Sequence, residues 1–428
     1  MTRLSTVVDH GPPAAAAWPP MRVLYLNPSG AIGGAERSLL DIIASLRAAC
    51  PEWQLSLIAG EDGALVRGAR ALGATAMVLP IPEALARLGD AGAGGPAGIQ
   101  IGKLSLAASM AGAAMATRRY ARSMAKTIVA ARPTVIHTNG FKMHLIAAQA
   151  AGGAIPIIWH VHDYVSSRPV LARLMRLASR RCAIAIANSR SVQADFEASC
   201  PNRPAVATIY NAVDLGYFSP CGRIADLDAL AGITPAPAGT VRVGLVATLA
   251  RWKGHEVFLG ALAALPPETK MRGYVIGDAI YSTHGSQWSI PELRAIAERL
   301  GVAARVGFTG FVEDVASAIR GLDVVVHAST EREPFGLAIA EAMACGKPVI
   351  ASRAGGAVEI VEAGAGALMH RPGDSAGLAE RIAELARDSE ERSRLGSLGR
   401  TAAERLFTRS RLADELIAIY ERVLGASI

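Results

Sequence analysis

Residues 244–255 read Gly-Leu-Val-Ala-Thr-Leu-Ala-Arg251-Trp-Lys253-Gly-His, an apolar run emptying into a turn that carries two cations. An arginine fork and a lysine point charge two residues apart can together neutralise a diphosphate. Two solvated loop cations would look the same, so the pair gains weight only from carboxylates further along the chain. Residues 324–350 read Val-Val-Val-His-Ala-Ser-Thr-Glu-Arg-Glu333-Pro334-Phe335-Gly336-Leu337-Ala-Ile-Ala-Glu341-Ala-Met-Ala-Cys-Gly346-Lys-Pro348-Val-Ile. The pattern predicts strand, loop, helix and strand. Pro334 suits the first turn of that helix, Gly346 its C-terminal cap and Pro348 the exit into the next strand. Glu341 is expected about two turns into the apolar helix, where an unpaired charge would cost several kcal/mol. A salt bridge or a surface position answers that need as well as a ligand hydroxyl does. Glu333, just ahead of the helix, tips the balance toward a ligand. Two acceptors then line one helix end, whose free N–H groups attract phosphate.

A second set lies earlier in the chain. Trp159-His160-Val161-His162-Asp163 closes a hydrophobic run, and the alternation is read as turning the two imidazoles to opposite faces, so that one of them serves the cleft. His137 and His144 are read as structural. Gly33-Gly34-Ala35-Glu36 follows the β-type run Met21-Arg-Val-Leu-Tyr-Leu-Asn27, and a glycine turn there lets the backbone approach a phosphate or an acceptor. No Asp-x-Asp sits at a strand end to coordinate a divalent cation. The five cysteines, Cys50, Cys182, Cys200, Cys221 and Cys345, are scattered without a C-x-x-C pair, so no metal site and a reducing cytoplasm are expected.

These residues need elements to position them. The run at Met21 leads through the glycine turn into Leu39, Leu40, Ile42, Ile43 and Leu46 at helical spacing. The same alternation recurs at Gln54–Ala59, Ala76–Pro80, Thr134–His137, Ile155–His160 and Ala183–Asn188, which indicates a parallel α/β sheet. After Asn211-Ala-Val-Asp214 the pattern breaks into a Pro- and Gly-containing passage, Ser219–Thr240. It then restarts with strands near Val241, Tyr274, Arg305, Val324 and Val349, a second doubly wound domain. Helical patterns at Ala376–Arg387, Glu390–Leu406 and Ser410–Leu424 close the chain. Two such domains would face each other across one cleft. Residues 1–20 are expected to be a disordered leader, 21–215 and 216–405 the two domains, and 406–428 a helix packing back on the first. Residues 83–132 read equally as a loop plus exposed helix or as something functional.

The chain has 428 residues, 51% of them hydrophobic, and a net charge of +7. Residues 1–215 carry 21 Lys and Arg against 12 Asp and Glu, and the rest 23 against 25, so the excess lies entirely in the first half. Such asymmetry suits an anionic membrane surface or a phosphorylated acceptor. Arg118, Arg119, Arg122 and Lys126, then Arg173, Arg176, Arg180 and Arg181, recur at near-helical spacing, fitting either a lipid-facing or a solvated face. Nucleic-acid motifs do not accompany them, so no nucleic-acid partner is expected. The weakly charged stretch Ala91–Thr117 is interrupted by Lys103 and is too low in hydrophobicity for a membrane span.

The order of motifs resembles glycosyltransferase family 4, retaining enzymes of GT-B fold, over about Met21–Leu424. The resemblance implies an E-x7-E element in which Glu333 lies near the donor sugar and Glu341 on the nucleotide ribose, with Pro334, Phe335, Gly336 and Leu337 also binding donor. It implies that Arg251 and Lys253 hold the diphosphate and act in catalysis with Glu333. His160 becomes the cleft histidine, and Gly33, Gly34 and Glu36 the N-terminal glycine loop. Asn188-Ser189 and Asn211-Ala-Val-Asp214 match a strand end and an interdomain element, with Ala212 replacing the usual glycine. Thr248-Leu249-Ala250-Arg251 is a loose form of the family's Gly-Arg-Leu run, and Tyr281–Trp288 is an insertion. The first domain would bind acceptor and the second a nucleoside-diphosphate sugar. The implied activity is hexosyl transfer with retention to a hydroxyl acceptor, in polysaccharide, glycolipid or other glycoconjugate biosynthesis. No metal or other cofactor is implied; the acceptor would be lipid-linked, and the protein cytoplasmic and peripheral on the inner face of the plasma membrane. A sugar-nucleotide hydrolase or epimerase of the same fold, or a non-catalytic binder, are the alternatives.

Overall fold

Strands covered on both faces show no alternation of buried and exposed positions, and Val135–Asn139, Ile157–Val161, Val324–His327 and Val349–Ser352 are buried at every position. The computed structural model describes residues 20–86, 103–201, 204–279, 285–364 and 366–425. The expected leader lies outside the described residues up to position 19, as do residues 87–102 of the 83–132 segment and Tyr281–His284 of the insertion.

β1 (Arg22–Asn27), β2 (Gln54–Ala59), β3 (Thr75–Val78), β4 (Val135–Asn139), β5 (Ile157–Val161), β6 (Cys182–Ala187) and β7 (Ala205–Thr208) form a parallel sheet in the order β3-β2-β1-β4-β5-β6-β7. β8 (Val241–Val246), β9 (Met271–Ile276), β10 (Val306–Gly310), β11 (Val324–His327), β12 (Val349–Ser352) and β13 (Ala367–His370) form a second, in the order β10-β9-β8-β11-β12-β13. The two strands missing from the sequence reading, β7 and β13, are four-residue edge strands of mostly partial burial, with too little apolar periodicity to register.

Each sheet reverses its strand order once, between β1 and β4 and between β8 and β11. Ligands of such sheets bind beyond the carboxyl ends of the strands at that point. Val243–Leu245 lie in register with Val324–Val326, so the loops leaving β8 and β11 emerge side by side. The closing helix, Arg409–Gly425, returns to the first domain and buries Leu412, Leu416, Tyr420 and Val423 against the first helix (Gly34–Ala49) and β1. At roughly 1.5–3 kcal/mol per fully buried large apolar side chain, this is a substantial attachment. Val213 N–H donates to the Phe407 carbonyl at 2.8 Å where the chain crosses back.

Candidate active site

Lys253 ends a single 3-10 turn, Arg251–Lys253, that follows β8. Its Nζ donates to Glu333 Oε2 at 2.8 Å, and the same oxygen accepts from His327 Nε2 at 2.8 Å and from Ser329 Oγ at 3.0 Å. Ser352 N–H donates to His327 Nδ1 at 3.4 Å, which leaves the imidazole proton on Nε2, facing Glu333. Burial opposes the Glu333 charge, but the Lys253 ammonium and the His327 hydrogen bond override it and hold the carboxyl well below its usual range. Gly254 adopts φ 76°, and a Cβ there would meet the Ala328 carbonyl oxygen at 1.9 Å, so glycine is what lets the two loops approach. Sequence reading missed His327 and Ser329, although both stand within six residues of Glu333.

Arg251 turns away from Glu333. Its guanidinium carbon lies 3.5 Å from the Trp288 ring centroid, and it donates to the Gly285 carbonyl at 2.9 Å and to Glu292 at 3.4 Å. Residues 285–288 of the insertion thus run along the cation loop, with Arg251 N–H bonded to Ser286 and Trp288 N–H to Leu249. The two cations expected to act together are held by different partners.

The helix after Glu333 starts later than expected. It spans Leu337–Ala344, with Gly336 as its N-cap at φ 99° and no side-chain cap. Pro334 therefore lies in the preceding loop rather than in the first helical turn, because Gly356 N–H pins the Glu333 carbonyl at 2.7 Å and keeps the segment extended. Glu341 is the fifth residue of the helix, just over one turn in, not two. Gly346, at φ 68°, closes the helix as expected. Phe335 is buried in the second domain's core, edge-on to Phe407 at 5.8 Å. Glu341 is buried and faces Arg37 of the first helix, with Oε1 3.8 Å from Nε. Burial pushes its carboxyl up to about 7, offset only in part by Arg37 and reinforced by Asp41. Glu341 lines a pocket of ≈ 150 Å³ between the domains together with Arg37, Asp41, Tyr217 and Leu337.

On the first domain, His160 and His162 do not point to opposite faces. Residues two apart in a strand share a face, and the two rings stack with centroids 4.0 Å apart. His160 is 1% exposed, with His162 the more open of the pair. Behind them runs a chain of hydrogen bonds: Tyr25 hydroxyl to Tyr420 hydroxyl at 3.4 Å, Tyr420 to His137 Nδ1 at 2.7 Å, and His137 Nε2 to His160 Nδ1 at 3.2 Å. Burial holds His137 and His162 down at about 3, and His160 well below the ordinary imidazole range. The same burial raises both tyrosines, so every member is neutral. Either hydroxyl of the Tyr25–Tyr420 pair can donate, and the direction that leaves no tyrosine proton unused has Tyr25 donating to Tyr420. Tyr420 then donates to His137, which donates to His160, and the network assigns the His160 proton to Nε2. That atom and His162 Nε2 are both buried without a hydrogen-bond partner among the described residues. His137, read from sequence as structural, thus belongs to this chain. His144 bonds Thr138 at 2.6 Å and stacks on Trp159, away from it.

Gly33 caps the first helix, and a Cβ on Gly34 would meet nothing within 4 Å, so open space lies above that turn. Glu36 is occupied locally, accepting from Gly33 N–H at 3.1 Å and Asn27 at 3.3 Å. Several contacts cross between domains. Tyr164 donates to the Glu333 carbonyl at 3.1 Å, and Glu359 accepts from the N–H groups of Arg190 and Ser191, at 2.9 and 2.7 Å, at the start of the helix Arg190–Ser199.

Residues 32–217 match the family described as Glycosyltransferase Family 4, and residues 240–388 that described as Glycosyl transferases group 1. N-acetyl-alpha-D-glucosaminyl L-malate synthase of Bacillus anthracis is 26% identical over 303 residues, 68% of this chain and 75% of that protein. D-inositol 3-phosphate glycosyltransferase 2 of Catenulispora acidiphila is 33% identical over 235 residues, 52% of this chain and 54% of that protein. The chain thus spans from about half to three quarters of the length of these curated relatives. Among solved structures, HepE of Anabaena in complex with UDP-glucose superposes with a TM-score of 0.75 at 27% identity, covering 94% of this chain and 100% of that one. WaaG, a glycosyltransferase involved in lipopolysaccharide biosynthesis, superposes with a TM-score of 0.62 at 14% identity over 94% of this chain and 100% of its own, a likeness of fold alone. Two facing doubly wound domains of this kind are the GT-B fold. With one family match on each domain, the chain belongs to the group 1 glycosyltransferases of family 4.

Proposed function

We propose that the chain transfers a hexosyl group from a UDP-sugar to a hydroxyl acceptor with retention of anomeric configuration and without a metal ion, in building a polysaccharide, glycolipid or other glycoconjugate. The observation that carries this reading is the Lys253–Glu333–His327 cluster at the switch point of the second sheet, in a chain of the same fold as a protein solved with UDP-glucose. The donor diphosphate would draw Lys253 from Glu333, leaving that carboxylate to accept from sugar hydroxyls. Arg251, Lys253 and the N-terminus at Gly336 would balance the charge that grows on the departing diphosphate, the role a divalent cation plays elsewhere. Glu341 would accept from the ribose, with Pro334, Phe335 and Leu337 bounding the donor through their backbone or flanks. His160, with Gly33 and Gly34 above, would meet the sugar or acceptor from the first domain.

The acceptor is read as lipid-linked and the protein as cytoplasmic and peripheral to an anionic membrane face. Among the described residues no helix is long and apolar enough to cross a membrane.

Thermal stabilisation by a panel of UDP-, GDP- and ADP-sugars identifies the donor, since a ligand that binds only the folded state raises the melting temperature. Turnover with that donor should survive a chelator, and NMR of the product should show the donor's anomeric configuration. Free sugar formed at the transfer rate without acceptor would replace the reading with hydrolysis, and interconversion of two nucleotide sugars with epimerisation. Donor binding without turnover on any acceptor would leave only a binding protein.

A further inference from the structure

Two helices on one side of the first sheet leave outward faces that neither domain covers. In the helix Pro169–Ala178, Met175 is buried and Leu171 and Ala178 pack inward, while Val170, Leu174 and Leu177 are 73%, 48% and 70% exposed. Positions 170, 174 and 177 fall on one stripe of a 3.6-residue period, flanked by exposed Arg173 and followed by exposed Arg180 and Arg181. The helix Lys103–Ala131 repeats the arrangement. Tyr120, Met124 and Ile128 are buried, while Met115 and Val129, 58% and 73% exposed, share the opposite face with Arg118, Arg119, Arg122 and Lys126. The helix Phe141–Ala150 packs between the two, so both faces belong to one layer.

Charge selects the occupant. Between residues 91 and 194 the sequence holds 13 Lys and Arg, and Asp163 is its one acidic residue, whereas the chain as a whole is only +7. A protein partner of ordinary composition would leave most of these arginines unpaired. An anionic bilayer offers charge to the arginines and an apolar boundary to the valine and leucines between them. The layer also adjoins the cleft. Pro169 follows the turn Val165–Ser167, whose Ser166 accepts from Arg332 at 3.3 Å beside Glu333.

We propose that the outward faces of Pro169–Ala178 and of residues 115–129 in the longer helix form a docking surface for anionic lipid bilayers, with Val170, Leu174 and Leu177 entering the headgroup–acyl boundary. This extends the reading of the acceptor as lipid-linked. A docked layer would bring a membrane-anchored hydroxyl to the first-domain wall of the cleft.

The test is co-sedimentation of the full chain with vesicles of phosphatidylglycerol and phosphatidylcholine, compared with phosphatidylcholine alone, so that it is read without turnover. The expected result is binding to the anionic vesicles that weakens at least tenfold from 50 to 500 mM salt. The triple variant Val170→Gln, Leu174→Gln, Leu177→Gln should lose at least tenfold in partitioning while keeping its UDP-induced thermal shift. Arg118→Gln with Arg122→Gln should weaken binding and flatten the salt dependence. Equal binding to both vesicle types, no binding to either, or an unaltered triple variant would overturn the proposal. Capture by a soluble polyanion with no preference for vesicles would do the same. Vesicle binding with an inert active site would sink the proposed function and leave the docking surface standing.

Discussion

The two walls of the cleft are built on opposite electrostatic plans. The second domain presents a charged wall, in which one carboxylate oxygen of Glu333 collects Lys253, His327 and Ser329. The first domain presents a neutral wall, in which four buried aromatic groups, Tyr25, Tyr420, His137 and His160, pass hydrogen bonds toward imidazole nitrogens that have no partner among the described residues. On the proposed function, the charged wall would meet the part of a nucleotide sugar whose charge changes during transfer. The neutral wall is suited to hydroxyl groups, whose recognition depends on the direction of a hydrogen bond rather than on charge.

Removing the cation tests this division most severely. Lys253→Ala leaves the buried Glu333 without its ion-pair partner, and kcat/KM should fall by roughly 10²–10³-fold, the scale seen when one donor to a developing charge is lost. A loss below tenfold in a steady-state assay would mean that the charged wall is structural. Glu341→Gln comes next, with a roughly 10-fold weaker donor affinity expected for a lost charged hydrogen-bond acceptor. Its stability carries a sign. The parent carboxyl is raised from 4.5 to about 7, so its contribution is full below 4.5 and lost as pH rises through 7. The variant should therefore match the parent in unfolding free energy at pH 4 and exceed it at pH 8, by on the order of 1–3 kcal/mol. Equal pH profiles would place Glu341 in an ordinary exposed environment.

The neutral wall should respond differently. Tyr420→Phe removes the donor that fixes the His137 tautomer, and kcat should drop roughly tenfold with donor KM unchanged, as for a residue that orients another. In ¹⁵N spectra of the imidazoles, His160 should change from a single Nε2–H form to a mixture; an unchanged spectrum would break the proposed direction of the chain. Trp288→Ala has the smallest expected effect. Losing the face on which Arg251 rests, a contact worth about 0.5–2 kcal/mol, should raise donor KM by a few fold and leave kcat alone. No change would show that the insertion does not set the guanidinium's position.

The same contrast explains what the sequence disclosed. Arg251 and Lys253 leave one strand and Glu333 and Glu341 follow its neighbour, so the charged wall occupies two short stretches whose residue types are unusual for their surroundings. The neutral wall joins residues 25, 137, 160 and 420, and an isolated tyrosine in the closing helix looks like core until its hydroxyl is seen 2.7 Å from His137. Pairing of His160 with His162 was accessible to the two-residue period of a strand, and the opposite-face reading misapplied that period. The late start of the helix after Glu333 was harder to see, because it depends on Gly336 adopting φ 99° and on a backbone bond from Gly356. Arg37, which faces Glu341 from the other domain, has no signal in its own neighbourhood.

Because the chain passes between domains once near Val213 and again near Phe407, and these crossings are hydrogen-bonded to each other, the domains share a pivot rather than a single flexible strap. Bending about that pivot moves nearby groups least and distant ones most. Arg409, which bonds Asp41 at 2.6 Å and Asp214 at 2.8 Å, sits at the pivot and can stay engaged through such a motion. The Tyr164–Glu333 and Ser191–Glu359 bonds join the domains away from it, so a parting of the two walls would break them while sparing the pivot. Widening the cleft in this way would cost a few polar contacts at the rim and leave the crossing at Val213 and Phe407 intact.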